Sequence, residues 1–163
     1  MIDRFADLIN GVGLYLLQFG IWGLALLSFA ESSFFPLPPD VLLIPLALTH
    51  PRMGVWYAAV TTLLSVSGGI FVYFIGVKAG RPLLEKFFSK KRIEIVEKYF
   101  NKYGGWAVAI AGFTPVPYKI FTISAGVMRI RMSTFVAASI LGRGARFFFE
   151  GIAIMAFGMH ARL

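Results

Sequence analysis

The chain has no cysteine and few charged residues, and both deficits restrict the kind of protein it can be. Charged side chains make up 15% of its 163 residues, whereas soluble domains carry about 25%. The absence of cysteine excludes a disulfide-stabilised secreted fold. A domain of this size cannot hide most of its side chains from water. A hydrophobic content of 58% and a mean hydropathy of +0.75 therefore indicate a small integral membrane protein.

The sequence also lacks the residue spacings that carry catalytic or metal chemistry. Its two histidines, His50 and His160, are far apart and have no acidic or cysteine companions at metal-ligand spacing. It contains no Ser-His-Asp, Cys-His, P-loop or glycine-rich dinucleotide pattern. We therefore expect no metal site, no cofactor and no enzymatic activity.

The net charge of +8 is unevenly distributed along the chain. Residues 78–102 hold eight basic and three acidic side chains, a net charge of +5. Such a cluster between apolar segments is typical of the cytoplasmic side of a membrane protein, where it lies against anionic lipid headgroups rather than nucleic acid. Apolar residues recur at helical spacing through residues 82–103, which predicts one or two amphipathic interfacial helices. A solvated helical linker is the alternative.

Two uncharged runs, residues 8–30 and 53–77, are long enough to cross a bilayer, which takes about 20 apolar residues. The first run exceeds the length of a signal peptide core, so we expect a retained membrane segment. Shorter apolar runs are interrupted by two proline clusters, which cannot lie inside helices. The cluster residues are Pro36, Pro38 and Pro39 in the first break and Pro115 and Pro117 in the second. Broken backbone at membrane depth requires a protected polar interior, so we expect re-entrant segments.

The chain contains an internal repeat. Residues 52–59 (RMGVWYAA) match residues 131–138 (RMSTFVAA), and the same offset aligns the two proline breaks. Residues 19–25 (FGIWGLA) also resemble residues 103–109 (YGGWAVA). Each unit consists of an apolar arm, a proline break, a short apolar arm and a spanning helix.

This repeat predicts the fold class, an all-α integral membrane protein with two inverted repeats. Each repeat is a proline-broken re-entrant hairpin followed by a spanning helix, an architecture common among secondary transporters. We expect one membrane domain over residues 1–163, with repeat one at about 14–77, the basic amphipathic linker at 78–102 and repeat two at about 103–158. An odd number of crossings in each repeat places the linker on the cytoplasmic face and both termini on the other.

Six ionisable residues fall in or beside the apolar segments, where such groups are costly and usually functional. They are Glu31, Asp40, Lys119, Arg143, Arg146 and Glu150. The last three lie on one face of the final helix, and the spacing of Arg146 and Glu150 allows an ion pair. The repeat relates Asp40 to Lys119, so we expect a carboxylate and a cation to face one cavity. Lysine and arginine there are suited to a phosphate group.

Structural roles remain open for five of these six side chains. Glu31 and Asp40 are suited to helix capping, and Arg143 and Arg146 to extending toward lipid headgroups. Lys119 is suited to anchoring the topology. The symmetry of Asp40 and Lys119 favours the functional interpretation.

Four segments resemble the DedA family (VTT or SNARE-associated domain), and within it a YqaA-like branch. They are residues 31–40 (ESSFFPLPPD), 114–117 (TPVP), 125–130 (AGVMRI) and 141–147 (LGRGARF). The resemblance implies an inner-membrane protein with two inverted re-entrant hairpins. It also implies a role in moving undecaprenyl phosphate or phospholipid headgroups across the bilayer, with proton dependence.

The family's acidic pair corresponds to Glu31 and Asp40. Its paired arginines do not correspond directly, because Gly112 occupies the first position and Lys119 lies one residue after the second. We expect Arg143 and Arg146 to supply the missing positive charge.

The leading hypothesis is a multi-pass inner-membrane transporter that moves a phosphate-bearing lipid between leaflets, with possible proton exchange at Glu31 and Asp40. Its expected partners are anionic or phosphate-bearing lipids and protons, not nucleic acid, and a homo-oligomer is compatible with the sequence. One alternative is a small-ion or proton antiporter that uses the same carboxylates. Another is a non-transporting membrane scaffold that recruits partners through residues 82–103.

Overall fold

The computed structural model describes residues 2–114 and 116–160, and this part of the chain is helical, without a strand. The all-α prediction is therefore confirmed. The α-helices of the described residues are α1 (Ile2–Leu17), α2 (Ile21–Ser33), α3 (Asp40–Thr49), α4 (Gly54–Ala79), α5 (Arg81–Phe87), α6 (Lys90–Tyr103), α7 (Ala107–Phe113), α8 (Tyr118–Val127) and α9 (Met132–His160). Single 3-10 turns at Pro51–Met53 and Gly104–Trp106 precede α4 and α7.

The apolar run at residues 8–30 forms two helices rather than one continuous span, and its retention in the membrane stays a prediction. α1 ends at Leu17, and Gly20 turns the chain before α2 begins. The φ of Gly20 is 57°, in the left-handed region that glycine adopts without steric cost. α2 has 13 residues and is about 20 Å long, which is too short to cross the hydrocarbon core of a bilayer.

Both proline breaks separate helices as predicted. The first lies between α2 and α3 and contains Pro36, Pro38 and Pro39. The second lies between α7 and α8, where Pro117 directly precedes α8. Pro115 lies outside the described residues. A re-entrant course through a membrane remains a prediction for both arms.

The two long helices, α4 and α9, form the centre of the fold and pack against each other. The segment Pro51–Ala79, which contains α4, is the one helix in the described part of the chain that is long and apolar enough to cross a membrane. α9 has 29 residues and is about 43 Å long, but it carries Arg143, Arg146 and Glu150 along its length.

The arms pack in a repeated pattern around this centre. α2 lies against α4 and α7 lies against α9, so each first arm contacts the long helix of its own half. α3 also contacts α9, and α8 contacts α4, so each second arm reaches the long helix of the other half. The order of elements is the same in both halves, and the inverted relation between them remains a prediction.

The basic linker folds into two helices, α5 and α6, and Ser89 caps α6 by accepting a hydrogen bond from the Arg92 amide at 3.4 Å. Arg81 bridges the two helices through Glu85 and Glu97, both at 3.1 Å. The hydrogen bond with Glu85 and the charge of Glu97 raise the pKa of Arg81 above its ordinary value.

The apolar face of α6 packs mainly on the protein itself. Val96 and Phe100 are buried in a cluster with Phe121 of α8. The predicted interfacial position of this apolar face is therefore wrong for Phe100, which protein covers. Helical periodicity identifies an apolar face but does not show whether protein or lipid covers it. Phe87 and Ile95 are exposed and remain available to a membrane.

Candidate functional site

A polar cavity of about 250 Å³ lies where the second proline break meets α2 and α9. Four of the six predicted site residues line it: Glu31, Lys119, Arg143 and Arg146. They come from three separate parts of the chain, which the packing of α2, α8 and α9 around α4 brings together. The other two predicted residues, Asp40 and Glu150, are joined to this group through Arg146.

Arg143 and Glu31 form a buried ion pair. The Arg143 Nη2 atom donates to Glu31 Oε2 at 2.5 Å, and the arginine side chain is 3% exposed. The same Nη2 donates to Ser32 Oγ at 3.2 Å, and Ser32 Oγ lies 2.6 Å from Ser65 Oγ on α4. A buried charge needs a partner and further hydrogen bonds to offset its desolvation, and this network supplies both. Arg143 therefore lies inside the protein rather than extending to a headgroup layer.

Aromatic rings enclose the same guanidinium group. Its central carbon lies 4.7 Å from the centre of the Tyr118 ring and 5.1 Å from that of Phe147. Cation–π contacts of this kind stabilise a desolvated cation. The Tyr118 hydroxyl donates to Ser139 Oγ at 2.8 Å, which fixes the ring. Arg143 Nε is buried without a hydrogen-bond partner among the described residues, so one donor remains unused.

Arg146 binds two carboxylates. Its Nη2 donates to Asp40 Oδ2 at 2.5 Å, and its Nε lies 3.5 Å from Glu150 Oε1. The contact between Arg146 and Glu150 is the ion pair that their four-residue spacing predicted. The second oxygens of the two acids, Asp40 Oδ1 and Glu150 Oε2, are buried and have no partner in the described part of the chain. Two carboxylates thus share one guanidinium group.

Lys119 connects the two halves of the molecule. Its Nζ donates to the backbone carbonyl of Phe35, in the first proline break, at 2.6 Å. No carboxylate of the described residues lies within ion-pair distance of it. The expectation that Asp40 would face Lys119 across the cavity is wrong in detail, because Arg146 binds Asp40 and the carboxylate in the cavity is Glu31.

Helix ends explain part of this arrangement. Asp40 is the first residue of α3, where the partial positive charge of the helix end favours an anion, although its side chain makes no capping hydrogen bond. Glu31 lies in the last turn of α2, where the helix end disfavours an anion, and the ion pair with Arg143 offsets this repulsion. Three cations and three carboxylates leave the group formally neutral.

Four further residues, Ser32, Ser65, Tyr118 and Ser139, belong to the site although none of them was predicted from the sequence. Ser32 follows Glu31 directly, and Tyr118 lies between Pro117 and Lys119. An aromatic residue next to an intramembrane cation was a usable signal for Tyr118. Ser139 gave none, because its role depends on the packing of α8 against α9.

The chain is similar to several known proteins. An uncharacterized protein of Haemophilus influenzae is 38% identical over 133 residues, which cover 80% of this chain and 69% of that protein. Undecaprenyl phosphate transporter A of Bacillus subtilis is 38% identical over 77 residues, 44% of this chain and 39% of the transporter. An alkaline phosphatase-like protein of Lactococcus lactis is 28% identical over 138 residues, 77% of this chain and 64% of that protein.

No solved structure matches the chain. The VTT domain matches residues 37–154, which include α3, α4, the linker, the second proline break and most of α9. This match covers most of the chain and agrees with the resemblance found in the sequence. The chain belongs to the VTT domain (DedA) family of membrane proteins.

Proposed function

We propose that this protein is a membrane transporter that moves a phosphate-bearing lipid between leaflets, with the phosphate held in the polar cavity. The candidate substrates are undecaprenyl phosphate and phospholipids, whose headgroups carry the phosphate. Family membership and the similarity to a protein named undecaprenyl phosphate transporter A support transport. The cations that line the cavity support phosphate as the bound group.

The observation that carries the proposal is the set of cations at one cavity. Lys119, Arg143 and Arg146 all line it. Arginine binds phosphate through parallel hydrogen bonds and lysine binds it as a point charge. Arg143 Nε adds a buried donor that has no partner in the described part of the chain, and a phosphate oxygen is the type of acceptor that would satisfy it.

The cavity also restricts what can bind. Its volume of about 250 Å³ is slightly below the lower limit of about 300 Å³ for pockets that enclose small molecules. It is many times larger than the space that one water molecule needs. A headgroup phosphate with some water is therefore a better occupant than an entire lipid.

Binding of phosphate requires an exchange of partners. In the structure, Glu31 holds Arg143, and Asp40 holds Arg146. Protonation of Glu31 or Asp40 removes the negative charge that competes with phosphate for these arginines. Proton uptake and phosphate binding are then linked, so each favours the other. In this scheme the carboxylates couple lipid transport to protons, and Lys119 attracts phosphate in both states.

Reconstitution into liposomes tests the transport step. Wild-type protein should equilibrate a headgroup-labelled polyprenyl phosphate or phospholipid between leaflets, measured by the fraction accessible to an impermeant reagent. Lys119→Ala should abolish most of this activity, because Lys119 is the one cavity cation that has no carboxylate within ion-pair distance among residues 2–114 and 116–160. Lys98→Ala, in the exposed part of α6, serves as the control and should retain full activity.

Two other outcomes would contradict the proposal. Ion or proton flux without lipid movement would identify a small-ion antiporter. If neither lipid nor ions move, while loss of charge at Lys90 and Lys91 abolishes the cellular phenotype of the protein, it acts as a scaffold through its linker.

A further inference from the structure

A second cavity lies beside the polar one and differs from it in chemistry. It is an apolar groove of about 230 Å³ between α6 and α8. The side chains of Phe88, Ile95 and Val96 form one wall, and Ile120 and Phe121 form the other. Ile95 is 44% exposed, so the groove is open to a ligand. Its one charged lining residue is Arg92, near the start of α6.

The two cavities share part of their lining. Val116 and Pro117, in the second proline break, line both the apolar groove and the polar cavity. Val116 is 41% exposed. Val116 and Pro117 therefore lie between a cavity lined by cations and an apolar groove. A ligand with its phosphate in the polar cavity can extend past these two residues and along the groove.

We infer that the apolar groove between α6 and α8 binds the first part of the hydrocarbon chain of the lipid whose phosphate occupies the polar cavity. This inference rests on the proposed function and adds a second subsite to it. A phosphate with an attached hydrocarbon chain matches a cationic cavity that lies next to an apolar groove. A peptide or a second copy of the protein would not explain why the groove borders the cation cavity at Val116 and Pro117.

The sizes of the two cavities agree with this division. The volume of each cavity is below about 300 Å³, the lower limit for pockets that enclose a small molecule. Neither holds a complete lipid, but together they accommodate a headgroup phosphate and the beginning of its chain. The remainder of the chain extends beyond the groove.

The experiment measures binding of short-chain probes to the full-length protein in phosphatidylcholine nanodiscs. Inorganic phosphate reports on the polar cavity alone. Geranyl phosphate and decyl phosphate add a prenyl or an alkyl chain, and empty nanodiscs correct for partitioning into lipid. Wild-type protein should bind both chain-bearing probes more tightly than inorganic phosphate.

The test variant is Ile95→Trp, which fills the groove. It should weaken binding of the chain-bearing probes about tenfold, since it displaces about two methylene groups from apolar contact. Binding of inorganic phosphate should not change, which also shows that the variant folds. Ile95→Ser, which removes the apolar contact instead, should act in the same direction. Ile75→Trp is the matched control, because Ile75 is 38% exposed on α4 and lies outside both cavities.

Each outcome decides between the two claims. Unchanged binding of geranyl and decyl phosphate by Ile95→Trp overturns the chain subsite and leaves the phosphate cavity intact. An equal loss in Ile75→Trp overturns it as well, because the effect is then not local. If wild-type protein binds none of the three probes, the proposed function fails, and the chain subsite fails with it. A loss confined to one chain type supports the subsite and identifies the lipid class.

Discussion

At the scale of single residues, the site depends on Arg143. Its side chain is 3% exposed, the lowest value among the ion-paired side chains of the site. Its guanidinium group is held by a carboxylate, a serine and two aromatic rings. Removal of one partner from a buried ion pair lowers the folding stability more than removal of both, because the remaining charge stays desolvated.

We predict that Arg143→Gln destabilises the protein by about 3–5 kcal/mol. The double variant Arg143→Gln/Glu31→Gln should recover part of this loss, since it leaves no unpaired charge. Unfolding by titration with a denaturing detergent gives the free energy of each variant. Arg81→Gln removes an exposed ion-paired arginine from the linker and should have little effect. A double variant no more stable than Arg143→Gln would contradict this description of the pair.

Glu150 is the third carboxylate of the group and makes the cluster formally neutral. It lies 3.5 Å from Arg146, which also binds Asp40 at 2.5 Å. With Glu150 neutralised, three cations face two carboxylates. A net positive charge favours an anion in the cavity.

We therefore predict that Glu150→Gln strengthens phosphate binding at neutral pH, on the order of tenfold. Calorimetric titration of the protein with inorganic phosphate measures the change. Glu94→Gln, an exposed substitution in α6, removes the same charge far from the cavity and should have no such effect. Weaker binding by Glu150→Gln would show that its carboxylate positions Arg146 for the ligand rather than competing with it.

At the scale of helices, the cavity depends on how closely α8 approaches α4. A Cβ atom on Gly126 would lie 2.1 Å from the backbone oxygen of Tyr73. Small residues allow such backbone contacts in membrane proteins. The position of α8 in turn places Tyr118 and Lys119, its first two residues.

We predict that Gly126→Ala separates α8 from α4 and destabilises the protein by about 1–3 kcal/mol. Phosphate binding should weaken with it, because Lys119 moves with α8. Gly11→Ala is the control: it lies within α1, where nothing is within 4 Å of the added Cβ, and alanine there favours the helix by about 1 kcal/mol. Equal stability of the two variants would contradict the close packing of α8.

The helix boundaries show how far the sequence determines the fold. The proline breaks could be placed from the sequence because a missing amide proton acts locally. The division of residues 8–30 at Gly20 could not, since glycine is common within membrane helices and the turn depends on a φ of 57°. The burial of Phe100 was also missed, because periodicity does not distinguish protein from lipid as the cover of an apolar face.

The site was predictable to a similar extent. Charges in apolar segments identified the six side chains, and helical spacing placed Arg143, Arg146 and Glu150 on one face of α9. The partners of each charge could not be deduced, because Glu31 and Arg143 are 112 residues apart in the chain. The repeat suggested Asp40 opposite Lys119, but Arg146 reaches Asp40 instead.

At the scale of the whole molecule, the predicted inverted repeat places the two halves in opposite orientations. The net +5 of residues 78–102 predicts that the linker faces the cytoplasm. The turn at Pro51–Met53, between α3 and α4, should then face the other side of the membrane.

Because the sequence contains no cysteine, single cysteines can be introduced to test this topology. We predict that Ser89→Cys reacts with an impermeant thiol reagent only from the cytoplasmic side, and Arg52→Cys only from the opposite side. Both residues are exposed. Labelling of intact cells and of inverted membrane vesicles measures the two accessibilities. Reaction of both variants from one side would contradict the inverted arrangement.

The central claim is that carboxylates and phosphate compete for the same arginines. The most direct measurement is the affinity of the protein in nanodiscs for inorganic sulfate, which resembles phosphate in shape and charge, at neutral pH. Wild-type protein is compared with the double variant Glu31→Gln/Asp40→Asn, in which both competing side chains are neutral.

We predict that the double variant binds sulfate more tightly than the wild-type protein, because Arg143 and Arg146 no longer have these two carboxylates as competing partners. Equal or weaker binding by the double variant would contradict the competition between carboxylates and phosphate for the two arginines.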